Sequence, residues 1–257
     1  MIRQSFAWWA FHRHGNDPTV LLSGAKEAGY AAVELIPQEL WDTARAAGLV
    51  ISSASAHDGI GRGFNDRSNH VVAIEQVRHA IESAQSCDIP NLIVFSGSRF
   101  DGISDDEGAE AVAEGLAQLA PEAEAAGVKL VLELLNSKID HPCYQADHTA
   151  FALKVCDAVN SPAVKILYDI YHMQIMEGDL IRTLREAMPR IGHIHTAGNP
   201  GRIQIDGRQE IHYPAVFRAI AETGYDGYIC HEFVPRGDAV DELRVAYEIT
   251  AAAFQSV

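Results

Sequence analysis

Four short apolar segments in the second half of the chain each end in an acid or an imidazole. The groups that they carry are Glu133, Asp169, His195 and Glu232. Removing a carboxylate from water costs several kcal/mol unless a counter-charge or a metal compensates. This chain meets that cost repeatedly, and always at the same end of a strand. We therefore expect the four side chains to converge on one shared site.

The whole chain repeats one strand-and-helix pattern. Apolar segments predict eight strands, each followed by a helical pattern. The predicted strands are residues 2–10, 31–36, 49–55, 91–97, 128–135, 164–169, 191–197 and 227–233. Strands that are apolar on both faces and separated by helices pair in parallel beneath those helices. The sequence therefore predicts an α/β fold, a (β/α)8 TIM barrel forming a single domain over residues 1–257. A doubly wound open sheet is the alternative, but no predicted strand leads into a G-x-G-x-x-G turn.

Composition narrows the classes of partner. A net charge of −15 disfavours nucleic acid, because phosphate binding needs clustered Lys and Arg. No segment approaches the ~18 consecutive apolar residues of a membrane span, and the first residues lack the pattern of a signal peptide. We therefore expect no membrane partner and a cytoplasmic location. The four cysteines have no C-x-x-C spacing, which argues against a disulfide framework and against a thiolate zinc site.

The four strand-end groups indicate a particular metal chemistry. In a (β/α)8 barrel the active site lies at the C-terminal ends of the strands, where these groups are placed. Three carboxylates and one imidazole form a mostly oxygen ligand set. That set suits one divalent ion such as Mn²⁺, Mg²⁺ or Co²⁺, and Zn²⁺ stays open.

The same region carries specific motifs. These motifs are LELLN, DHPCY, LYDIYHMQIMEGDL, HIHTAGNPGR and YDGYICHEF. Together they resemble the hydroxypyruvate isomerase branch of the xylose isomerase-like barrels. That superfamily also includes ketose 3-epimerases. The resemblance implies a metal held by Glu133, Asp169, His195 and Glu232. It also implies that Glu133 and Glu232 exchange protons with the substrate, while His172 and Arg202 contact its oxygens.

These residues predict an isomerase that works through an enediolate. A metal on both oxygens of an α-hydroxy carbonyl stabilises the enediolate, and two carboxylates can move the proton between neighbouring carbons. The predicted substrate is a small hydroxy-oxo acid or a short sugar, with hydroxypyruvate and tartronate semialdehyde as the favoured pair. Arg202 could hold a substrate carboxylate bidentately. The alternatives are a ketose 3-epimerase or other sugar isomerase, an endonuclease IV-like phosphodiesterase, and a non-catalytic sugar-binding protein.

Other residues are weaker candidates. His57, after the third predicted strand, is a candidate for substrate binding, and Glu34 ends the second predicted strand. Each could equally have a structural role. Trp8 and Trp9 could line the pocket or pack in the core. The loops after the third and fourth predicted strands differ from the resembled pattern, which leaves the true substrate open. A homo-oligomer is compatible with the sequence.

Overall fold

The computed structural model describes residues 2–12 and 17–257. Strands and helices alternate along these residues. The strands are β1 Arg3–Ala7, β2 Ala32–Glu34, β3 Val50–Ile51, β4 Ser53–Ser55, β5 Asn91–Val94, β6 Lys129–Glu133, β7 Val164–Asp169, β8 Ile191–Thr196 and β9 Tyr228–His231. The α-helices are α1 Trp8–Phe11, α2 Pro18–Ala28, α3 Trp41–Ala46, α4 His70–Ser86, α5 Asp105–Ala126, α6 Thr149–Val159, α7 Ile170–Met176, α8 Leu180–Ala187, α9 Tyr213–Glu222 and α10 Ala239–Gln255. Short 3₁₀ helices occupy Gln38–Leu40, Arg67–Asn69 and Met188–Arg190.

Two compact units can be distinguished along the described residues, and the strands are divided between them. The first contains the described parts of 1–52 together with 179–188 and 194–257, and the second contains 53–178 and 189–193.

In the first unit β1 pairs in parallel with β2 and β9, and β2 pairs in parallel with β3. In the second unit β4, β5, β6 and β7 pair in parallel in that order. The predicted parallel pairing of strands separated by helices is confirmed.

Local sequence signals account for the helix ends. The Asp17 carboxylate accepts a hydrogen bond from the Thr19 N–H at 2.8 Å, Pro18 occupies the first turn of α2, and Gly29 ends this helix in the left-handed region at φ 109°. A capping box between Ser104 and Glu107 begins α5. These local signals fix where α2 begins and ends and where α5 begins.

Several predicted strand bounds are wrong. Predicted strand 2–10 ends at Ala7, and residues 8–11 are helical. Predicted strand 49–55 is interrupted at Ser52. A helix that the strand pattern does not predict, α7, begins directly at the end of β7, because the Asp169 carboxylate accepts the His172 N–H at 3.0 Å.

The strands are buried on both faces, as parallel strands covered by helices must be. Every residue of β5 and β8 is buried, and in β7 only Lys165 is partly exposed. Both the apolar and the polar side chains of these strands are therefore withdrawn from water. Among the helices of the described residues, none combines the length and apolarity needed to cross a bilayer.

Candidate active site

His195 and Glu232 lie at neighbouring strand ends. His195 is the penultimate residue of β8, Glu232 directly follows β9, and both are buried. The Glu232 N–H donates to the Thr196 carbonyl at 2.9 Å, which extends the pairing of the two strands to the acid. The His195 Nδ1 atom lies 3.1 Å from Glu232 Oε2. The backbone therefore presents an imidazole nitrogen and a carboxylate to the same point.

Both oxygens of Glu232 have donors. The Trp9 indole N–H donates to Oε1 at 2.7 Å, and the Arg202 guanidinium donates to Oε2. Arg202 also donates to the Glu232 carbonyl at 3.2 Å and lies 5.0 Å above the centre of the Trp9 ring. Burial alone would raise the pKa of Glu232, but the charges of Arg202 and His195 outweigh it and hold that pKa well below its usual range. Glu232 is thus held as a carboxylate.

Glu34, the last residue of β2, lies on the other side of the His195 ring. Its Oε1 atom is 2.7 Å from His195 Nε2, and its Oε2 accepts a hydrogen bond from the Ser52 hydroxyl at 3.1 Å. The side chains of Glu34 and His195 are both fully buried. The His195 imidazole therefore lies between two carboxylates.

Glu133 and Asp169 end β6 and β7, and both are buried. One oxygen of Asp169 caps α7, as described above, and the Tyr144 hydroxyl donates to the Glu133 carbonyl at 2.8 Å. These bonds fix the backbone at both strand ends. Each carboxylate is therefore delivered from a rigid position, which a precise ligand site requires.

His172 lies in the first turn of α7 and is fully buried. The Asn136 N–H donates to its Nδ1 atom at 3.1 Å, so the hydrogen of the neutral ring is on Nε2. That nitrogen lies 3.7 Å from Asp169 Oδ2. The ring therefore directs an N–H towards the carboxylate end of β7, where it can donate to a substrate oxygen.

His57 is buried in the loop after β4. Its Nε2 accepts the Phe95 N–H at 3.0 Å, which fastens this loop to the end of β5. Burial lowers the pKa of His57, so the ring is neutral. The contact with Phe95 gives His57 a structural use, and its predicted role in substrate binding stays a prediction.

The four predicted metal ligands lie at strand ends in both units. Glu133 and Asp169 belong to the second unit, His195 and Glu232 belong to the first, and all four are buried. Three carboxylates and one imidazole form an oxygen-rich donor set, which suits one divalent ion. That the four hold the same ion stays a prediction.

Sequence reasoning missed the contact of Trp9 with Glu232 and that of Asn136 with His172. Trp9 is 223 residues from its partner, so no local pattern reveals the pair. Asn136 lies three residues after the end of β6. Its position as a polar residue in a loop at a strand end was the one sequence signal that could have marked it as a site residue.

A family model for xylose isomerase-like TIM barrels matches residues 22–249. The chain belongs to this family. The predicted (β/α)8 TIM barrel fold is thereby confirmed, and the resemblance seen in the sequence motifs is confirmed with it.

Curated relatives carry isomerase names. A putative hydroxypyruvate isomerase from Homo sapiens is 35% identical over 113 residues, which are 44% of this chain and 41% of that protein. A 2-oxo-tetronate isomerase from Pectobacterium atrosepticum is 29% identical over 171 residues, 66% of this chain and 64% of that protein. The matches thus span less than two thirds of these relatives.

Solved structures share the fold. The IOLI protein, crystallised with a binding zinc atom, superposes with a TM-score of 0.79 at 18% identity, and the match covers 99% of each chain.

Proposed function

We propose that this protein is a divalent metal-dependent isomerase of small hydroxy-oxo acids, and that it interconverts hydroxypyruvate and tartronate semialdehyde. The observation that supports the proposal is the burial of three carboxylates and one imidazole at the ends of parallel strands, because buried negative charge calls for a cation. The names of the curated relatives, which are isomerases of hydroxypyruvate and of 2-oxo-tetronate, support the same reaction class.

Glu133, Asp169, His195 and Glu232 would hold the metal. Three carboxylates carry enough negative charge to bind a divalent ion inside a buried site, and this charge needs a cation to offset its desolvation. Mn²⁺, Mg²⁺ and Co²⁺ suit the oxygen-rich set, and the zinc atom in a protein of the same fold keeps Zn²⁺ as a candidate. When bound, the ion would supply Lewis-acid stabilisation of negative charge on the substrate oxygens.

Glu133 and Glu232 would move the proton. In the forward direction one carboxylate removes a proton from C3 of hydroxypyruvate, and a proton is delivered to C2. The proton of the C3 hydroxyl is transferred to the C2 oxygen, so C3 becomes the aldehyde carbon, C2 carries the new hydroxyl, and atoms and electrons balance. The contacts of Glu232 with Arg202 and His195 keep it ionised, which both a metal ligand and a proton acceptor require.

His172 and Arg202 would orient the substrate. The Nε2–H of His172 can donate to a substrate oxygen, because Asn136 occupies the other ring nitrogen. Arg202 can bind a substrate carboxylate, since its guanidinium already contacts an acid of the site and keeps 16% of its side-chain surface exposed. A carboxylate on the substrate distinguishes the hydroxy-oxo acids from neutral sugars.

A four-carbon 2-oxo acid is the second candidate substrate. The 2-oxo-tetronate isomerase covers more of this chain than the human relative does, 66% against 44%. The same carboxylate, oxo and hydroxyl groups are present in such a substrate, so the same residues would serve. Ketose 3-epimerisation remains an alternative reaction, and a net charge of −15 argues against the phosphodiesterase alternative.

A metal-supplemented activity screen tests the proposal. The metal-free protein is assayed with Mn²⁺, Mg²⁺, Co²⁺ and Zn²⁺ on hydroxypyruvate, 2-oxo-tetronate and a series of ketoses, with NMR detection in D₂O. We expect turnover of an acid, dependent on added metal, with solvent deuterium at the carbon that receives the proton. Deuterium at C3 of a ketose with inversion, and no reaction of either acid, would contradict the proposal.

A further inference from the structure

Glu34 is an acid that the proposed reaction does not use, although it is fully buried at the end of β2. A buried carboxylate is retained only where partners offset the cost of removing it from water. The partners of Glu34 therefore indicate what it does. Glu34 is the last residue of the three-residue strand β2, Ala32–Glu34, and the other two residues are apolar.

One oxygen of Glu34 is fixed by a neutral donor and the other faces an imidazole. The Ser52 hydroxyl donates to Oε2 at 3.1 Å, which orients the carboxylate plane. Oε1 lies 2.7 Å from His195 Nε2, while Nδ1 of the same ring lies 3.1 Å from Glu232 Oε2. The two nitrogens of His195 thus have different neighbours: Nδ1 faces Glu232, and Nε2 faces Glu34.

We propose that Glu34 is a positioning residue: in the metal-loaded protein its Oε1, which lies 2.7 Å from His195 Nε2, would accept the Nε2–H and so reserve Nδ1 for the metal. This inference rests on the proposed metal site. A carboxylate that holds the distal N–H of a ligating imidazole fixes the ring orientation and the tautomer, and raises the basicity of the ligating nitrogen. Glu34 therefore acts on metal affinity through His195, without touching the substrate.

A second metal ion is the competing explanation. Glu34, His195 and Cys230 also offer ligand atoms within 4.8 Å of one another. The Ser52 hydroxyl already occupies Oε2 of Glu34. The number of ions bound per chain, measured in the first test below, separates the two explanations.

The first test measures metal affinity. Metal-free wild-type, Glu34→Gln and Glu248→Gln proteins are titrated with Mn²⁺, and free Mn²⁺ is followed by electron paramagnetic resonance. Glu248 is exposed on α10 and is the matched control for the loss of one carboxylate charge. We expect one ion per wild-type chain, affinity reduced about 10- to 100-fold in Glu34→Gln, and no change in Glu248→Gln.

The outcomes separate this inference from the proposed function. Wild-type affinity in a folded Glu34→Gln protein would overturn the role of Glu34 and leave the metal site standing. Two ions per wild-type chain would favour the second-ion explanation and overturn the positioning role. A wild-type protein that binds no Mn²⁺ would overturn the metal site and this inference together.

The second test needs no variant of Glu34. Wild-type protein labelled with ¹⁵N-histidine is loaded with Zn²⁺, which is diamagnetic, and its imidazole nitrogens are observed by NMR. The His195 signals are assigned by their loss in His195→Asn. We expect a hydrogen on Nε2 of His195 and none on Nδ1. A hydrogen on Nδ1 would contradict the inference, even if Glu34→Gln failed to fold.

Discussion

Two networks of charged side chains in this protein look alike in composition and differ in burial. In one, Arg99 lies between two acids, 3.0 Å from Asp105 and 3.0 Å from Asp147. In the other, His195 lies between Glu34 and Glu232, and Arg202 contacts Glu232. Each network contains two carboxylates and at least one cationic partner.

The difference in burial separates a structural clamp from a site. In the Arg99 network only Asp147 is deeply buried, at 5% exposure, and the partly exposed Arg99 neutralises it. Asp105 keeps 62% of its side-chain surface exposed, so water shares its charge. In the other network both acids are buried, with 0% of the Glu34 side chain and 4% of the Glu232 side chain exposed. Two acids so deeply buried carry negative charge that a divalent ion would neutralise. Burial of surplus charge, more than the number of ion pairs, marks the candidate site.

The acids of the site should be essential for turnover. Glu232→Gln and Glu133→Gln each remove a group that takes or delivers a proton, and general acid–base groups contribute about 10²- to 10⁴-fold. We expect kcat to fall by at least that factor, with the far-ultraviolet circular dichroism spectrum unchanged. Asp147→Asn, in the Arg99 network, is the control and should keep the wild-type kcat. Full activity in a Glu133→Gln, Glu232→Gln double variant would eliminate the acid–base assignment.

Arg202 has two uses that kinetics can separate. If it binds the substrate carboxylate, Arg202→Ala should raise KM for hydroxypyruvate about 10- to 100-fold, because a charge-assisted hydrogen bond is lost, and change KM for a neutral ketose little. Steady-state kinetics on both substrates measures the split. An equal fall in kcat on both substrates, with KM unchanged, would instead restrict Arg202 to its contact with Glu232.

The Arg99 network should affect stability. Asp147 is buried, and although burial raises its pKa, the hydrogen bonds from Arg99 and Ser137 outweigh this and leave the pKa below its usual 3.8. Asp147→Asn should therefore lower the free energy of unfolding by about 2 kcal/mol at pH 7. Urea denaturation measures this change.

The same pKa shift fixes the pH dependence. Because the folded pKa is below the unfolded one, the contribution of Asp147 is fully present above pH 3.8 and is lost as pH falls through the lowered pKa. The difference in the free energy of unfolding between wild type and Asp147→Asn should thus become smaller in acid. A difference that stayed constant between pH 7 and pH 3 would show that Asp147 does not stabilise the fold through its charge.

The sequence was informative about the strands and their ends. Apolar runs that finish in Glu133, Asp169 and Glu232 predicted the parallel strands, because burial leaves a strong local pattern, and the acids at their ends are the predicted ligands. Long-range partners left no such pattern. Trp9 was assigned to a strand and lies in a helix, where its indole reaches Glu232. The contact between Glu34 and His195 likewise joins residues far apart in the chain, so the sequence alone does not reveal it.

Locating the metal in a crystal tests the central claim most directly. Crystals soaked in Mn²⁺ are measured at the manganese absorption edge, and an anomalous difference map is calculated. We predict one strong peak with oxygen or nitrogen ligands from Glu133, Asp169, His195 and Glu232 at about 2.0–2.4 Å. A map without a peak at these side chains, under conditions where the protein turns over its substrate, would contradict the account.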